Sequence, residues 1–183
     1  MEKKIVAIDN GHGGDDPGSV NKNLDLNEKD VVHDIGYNMV KPILEHWGYS
    51  VFMVRDKDVF VELRDRVELI DRSGADISIS IHNNAFHDPS AHGSEVYHYP
   101  GSTGEYLAKK VQENFVEKLG VADRGIKPTK SLALVEGPDA PAILCEPSFI
   151  SNPEEGKNLS SKWYRFLIAY SICDGVREYF EKY

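Results

Sequence analysis

Three short apolar runs constrain this chain more than any other feature: "IVAI" at 5–8, "ISISI" at 77–81 and "AILC" at 142–145. Each is too short for a stable helix and is rich in apolar or β-branched side chains, so each reads as a strand buried in a sheet. In the middle run Ile77, Ile79 and Ile81 face one way, while Ser78, Ser80 and His82 face the other. Helical patterns fill the spaces between. Val31, Ile35, Met39, Ile43 and Trp47 recur every four positions, which predicts a helix over 27–47 with Asn27 as N-cap and a kink at Pro42.

Further helices are expected over 61–71, 104–119 and 162–179, the first strand extends over 4–8, and further strands are expected over 50–54, 94–99 and 132–135. Residues 10–27 hold Gly11, Gly13, Gly14, Pro17 and Gly18 and read as a long polar loop. Strands alternating with helices mean an α/β fold. The expectation is one domain over residues 1–183, with a twisted, mostly parallel sheet of about six strands and helices on both faces.

The charge balance narrows the partners. Thirty acidic against 21 basic residues give a net charge of -9, whereas nucleic acid and anionic membranes both reward basic patches. Neither is expected as a partner, and a monomer is expected. The opening "MEKKIVAID" is too short in apolar residues for an export signal, and no stretch approaches the ~20 apolar residues of a membrane span. The chain is therefore expected to be made without an export signal or to be a domain of something longer. Cys145 and Cys173 are too few for a disulfide scaffold or a thiolate metal site.

In open α/β sheets the ligand crevice lies outside the carboxyl ends of the strands. Here three strands end next to residues capable of chemistry: the first near His12, the second at His82 and the third at Glu146. Two neutral imidazoles and one carboxylate, with a position left for water, form a common catalytic zinc shell. Glu28, opening the helix after the Gly-rich loop, is the best candidate for the third ligand, although a glutamate there also complements the helix dipole. A carboxylate directly after "AILC" is partly desolvated, which raises its pKa and suits Glu146 to proton transfer near neutral pH. His33 is a poor ligand partner for Glu28, because five residues on a helix place them roughly 140° apart. His46, His87, His92 and His98 read as surface residues.

The segments "IDNGHGGDDPGS", "NEKD", "VELRDRV", "ADISISIHNNA", "GSEVYHY", "DRGIK" and "CEPSFISNPEE" occur in this order. Together they resemble the zinc-dependent N-acetylmuramoyl-L-alanine amidases of type 3, over about residues 4–177. The resemblance implies His12, Glu28 and His82 as ligands of Zn2+ and Glu146 as the catalytic glutamate. It also implies a substrate, the amide joining the lactyl group of N-acetylmuramic acid to L-alanine in peptidoglycan. Asn84 and Arg124 stand in motifs near the family's cleft, where each suits either a substrate contact or a structural hydrogen bond.

The sequence departs from the family in three places. Asn10 stands where the family usually has proline, and Pro147-Ser148 stand where it often has Leu-Gly, beside the catalytic glutamate. An autoinhibitory insertion that some members carry after the "GSEVYHY" strand has no room here, since Pro100–Gly104 lead directly into a helix. An open, constitutively competent site is expected. Two other readings compete: a zinc peptidase with the same shell, and a peptidoglycan-binding module that has lost catalysis. Zinc carboxypeptidases pair their first ligands at His-x-x-Glu spacing, which sixteen positions between His12 and Glu28 disfavour. The binding module is disfavoured because all four chemical residues persist. The expected setting is the cell wall, reached as a phage lysis enzyme or as part of a secreted protein.

Overall fold

The computed structural model describes residues 3–183. In chain order the strands are β1 (Ile5–Asn10), β2 (Val20–Asn21), β3 (Leu26–Asn27), β4 (Ser50–Met53), β5 (Ile77–Ile81), β6 (Ser94–His98), β7 (Asp123–Pro128) and β8 (Ala142–Glu146). The α-helices are α1 (Glu28–Ile35), α2 (Lys41–His46), α3 (Leu63–Arg72), α4 (Gly104–Leu119), α5 (Ala133–Glu136), α6 (Pro153–Leu159) and α7 (Lys162–Lys182). Six strands form one sheet in the order β4-β1-β5-β8-β6-β7, and β2 with β3 makes a separate two-stranded hairpin inside the polar loop.

Strands β4, β1, β5 and β8 run parallel to one another, and β6 with β7 runs parallel as a pair, but β6 meets β8 antiparallel. This single reversal governs the chemistry of the sheet edge. The carboxyl ends of β1, β5 and β8 share that edge with the starts of β6 and β7, so residues from both kinds of terminus converge there. The sheet is buried on both faces. Ile77, Ile79 and Ile81 join the larger core with α1, α2, α4 and α7, while Ala7 packs with Ile70 of α3 and Leu134 of α5 in a smaller one. Both layers are expected from continuous apolar strands.

Four expectations need correction. Residues 132–135 are not a strand: "LALV" forms the short helix α5, whose Leu134 and Val135 are buried. An apolar run of four fits one helical turn as well as a strand. Strand β7 carries no apolar pattern, because its sequence, "DRGIKP", is polar and half exposed, as suits an edge strand ending in proline. The helix over 27–47 is interrupted by a π-helical turn, Gly36–Val40, directly before α2. Pro42 lacks an amide hydrogen and stands in the first turn of α2, directly after this wide turn. Gly36 in that turn lies against Asn10, whose Oδ1 a Cβ there would strike. Finally, His98 is not at the surface but 3% exposed. It shares the Val96 face of β6 under α4, while His46, His87 and His92 are exposed as expected.

Candidate metal centre and active site

His12 follows β1 in a left-handed conformation, φ 60°, that β-carbons disfavour. Two buried arginines hold it there. Arg66 donates to the carbonyls of Asn10 and His12 and to Asp9 Oδ1 at 2.7 Å, and Arg55 donates to the carbonyls of Asn10 and Gly11. Asp16 accepts from His12 Nδ1 at 2.8 Å, and Nε2 on the other side of the ring faces Glu28 Oε2 at 3.2 Å. Glu28 begins α1 and is buried, and its Oε1 lies 3.0 Å from His82 Nδ1. The amides of Ser19 and Asn83 also donate to this carboxylate.

His12, Glu28 and His82 thus offer one ligand atom each within 4.8 Å of one another, a group able to hold a metal ion. Burial pushes the Glu28 carboxyl up, but the hydrogen bonds and charge of His12 and His82 outweigh it and hold the group well below the usual carboxylate range. The two imidazoles meet edge to face with centroids 5.0 Å apart. His33 lies outside the group, with its Nδ1 near Arg55 and Asn10.

Gly11 lets the His82 ring reach the group. A β-carbon on Gly11 would lie 2.6 Å from Nε2 and 2.7 Å from Nδ1 of His82, inside its van der Waals envelope. Gly11→Ala is therefore expected to displace the ring and lower metal affinity by about 10–100-fold, the range seen when a ligand's support is lost. Competition with a chromophoric chelator measures it; unchanged affinity would mean that the ring has room to move.

Glu146 ends β8 beside the group. Its Oε2 is sealed from solvent and has no hydrogen-bond partner. Burial, then the charges of Glu28 and Glu95, push its carboxyl well above the ordinary value of 4.5. Pro147 and Ser148 do not draw the carboxylate out of the cleft: the Ser148 hydroxyl is tied to Tyr164 of α7 at 2.9 Å. A cavity of about 610 Å³ opens over this face, lined by His82, Glu146, Glu95, Tyr97 and Arg124. The His12 and His82 side chains keep 23% and 20% of their surface exposed, and Pro100–Gly104 lead straight into α4.

Sequence reasoning missed Glu95 and Tyr97 and left Asn84 and Arg124 undecided. Glu95, nearly buried, accepts from Arg124 Nε (2.8 Å), Tyr97 Oη (2.8 Å) and Asn84 Nδ2 (2.7 Å). Glu95, Tyr97 and Arg124 raise no signal in a search of strand ends, because β6 and β7 run the other way to β8 and bring their starts to the site. A buried-side glutamate two residues before a tyrosine in "SEVYH" was the available clue.

A family model described as N-acetylmuramoyl-L-alanine amidase matches residues 6–178. The N-acetylmuramoyl-L-alanine amidase AmiC of Neisseria meningitidis serogroup B is 32% identical over 221 residues, 97% of this chain and 53% of that protein. The germination-specific N-acetylmuramoyl-L-alanine amidase of Bacillus subtilis is 32% identical over 195 residues, 98% of this chain and 81% of that one. The crystal structure of the N-acetylmuramoyl-L-alanine amidase from Clostridium difficile 630 superposes with a TM-score of 0.94 at 31% identity, over 99% of this chain and 98% of that one. Some curated relatives are much longer: the chain spans 53% of AmiC and 36% of a Bacillus anthracis cell wall amidase. With the family model matched almost end to end and the fold shared, the chain belongs to the type 3 family of N-acetylmuramoyl-L-alanine amidases.

Proposed function

We propose that this chain is a zinc-dependent hydrolase that cleaves the amide between N-acetylmuramic acid and L-alanine in bacterial peptidoglycan, with His12, Glu28 and His82 as metal ligands and Glu146 as the catalytic glutamate. The observation that carries the reading is the His12–Glu28–His82 group beside Glu146, at the lining of one open cleft. Two imidazole nitrogens and a carboxylate suit zinc and leave a position for water. Zinc bound there supplies two things, a more acidic water and a polarised scissile carbonyl.

The chain's own residues do the rest. Asp16 fixes the His12 tautomer, and the Ser19 and Asn83 amides fix the Glu28 carboxylate. Glu146 takes the proton of the attacking water and passes it to the departing nitrogen, so the peptide leaves as an amine. No covalent nucleophile is required, and Cys145 and Cys173 are free, buried thiols away from this role. Among the described residues no helix is long and apolar enough to cross a membrane, and the cell wall is the proposed place of action.

The test is metal content together with release of stem peptides from purified cell wall. The wild-type chain is expected to bind one zinc and release amine, and His82→Ala to lose both. Metal-free protein that still releases amine, or zinc-loaded protein that releases none, would overturn the reading.

A further inference from the structure

We propose that Arg124 is the specificity residue for the leaving peptide: its guanidinium, clamped by Glu95 and Phe149 at the cleft wall, takes a carboxylate of the departing chain. This deepens the amidase reading and rests on it. Arg124 stands at the start of β7, 39% exposed in its side chain, in the same cavity as Glu146. Its Nε is spent on Glu95 at 2.8 Å, and its guanidinium lies over the Phe149 ring, 4.9 Å from the centroid. Glu95 also accepts from Tyr97 and Asn84, so three side chains hold its carboxylate in place and it serves as the anchor for Arg124.

The two terminal nitrogens remain. Nη1 has one long contact, 3.5 Å to the His92 carbonyl. A guanidinium held at Nε and stacked on a ring offers its outer edge as a planar fork, the geometry that binds a carboxylate through two hydrogen bonds. A purely structural arginine would bury that edge. Beside it, Thr129 and Ser131 line the cavity with hydroxyls suited to a peptide backbone.

The reaction decides which half of the substrate meets this fork. Glu146 returns its proton to the leaving nitrogen, so the amine-bearing peptide lies on the Glu146 side, in the cavity that Arg124 lines. The opposite cavity, about 340 Å³, touches His12 and His82 and is lined by Asp16, Glu62, Phe60 and Leu63. Its lining arginine, Arg66, is committed to Asp9. Carboxylates and apolar surface there repel an anionic peptide and suit a neutral sugar.

The experiment compares L-alanyl-D-isoglutamate with its α-carboxamide, which differ in that one charge, by calorimetric titration of the zinc-loaded chain. Wild type is expected to bind the carboxylate roughly 10- to 100-fold more tightly, as a charge-assisted pair implies. Arg124→Gln is expected to bring the ratio near one, and Arg124→Lys, which keeps charge without the fork, to fall between. Equal binding of both dipeptides by wild type, or a preference that survives in Arg124→Gln, would overturn the proposal. Should the variant fail to fold, the wild-type ratio alone decides. Failure of the amidase reading is separate: it would show as no amine released from cell wall, whatever the dipeptides do.

Discussion

Glu146→Gln is expected to lower turnover on cell wall by about 10²–10⁴-fold, the usual worth of a positioned general acid–base group, while zinc remains stoichiometric. Glutamine keeps the shape of the side chain and removes its ability to accept a proton. Glu146 makes no hydrogen bond through Oε2, so the substitution breaks no structural contact at that atom. Stability should move the other way. A carboxyl raised above 4.5 by burial binds more protons folded than unfolded, so it costs stability at pH values above the ordinary carboxylate range. In metal-free protein, Glu146→Gln should therefore match or exceed the wild-type melting temperature at pH 7, and the difference should vanish below about pH 4. Undiminished turnover in the variant would remove Glu146 from the mechanism.

The sequence made these residues legible because three of them close strands or open a helix. His82 and Glu146 follow apolar runs whose direction the alternating pattern fixes, and both reach the edge that was expected. The strand β7 was illegible for the opposite reason: "DRGIKP" carries polar, half-exposed residues and draws its pairing from β6 alone. Missing it hid the reversal of β6, and with that the reason Glu95 and Arg124 lie at the site. The short helix α5 was misread because four apolar residues hold no period long enough to separate helix from strand. His98 was misplaced because its burial depends on α4 and β7, and no local pattern records a neighbour that arrives from elsewhere in the chain.

Arg66→Met is expected to cost about 3–5 kcal/mol, since it strands a buried charge. Arg66 and Asp9 are 3% and 1% exposed and pair at 2.7 Å, with Ser80 Oγ also donating to Asp9. For a chain of this size the loss corresponds to a melting temperature lower by roughly 6–20 °C. The effect should reach the metal as well. Arg66 donates to the carbonyls of Asn10 and His12, so it pins the loop in which His12 holds its left-handed backbone. Adding Asp9→Asn removes the stranded charge and should restore part of the stability. It returns no donor to the His12 loop, so zinc affinity should stay low in the double variant. Stability and affinity recovering together would assign the arginine's role to charge balance alone. Separation of the two would show that the sheet core and the metal ligand draw on different bonds of the same side chain.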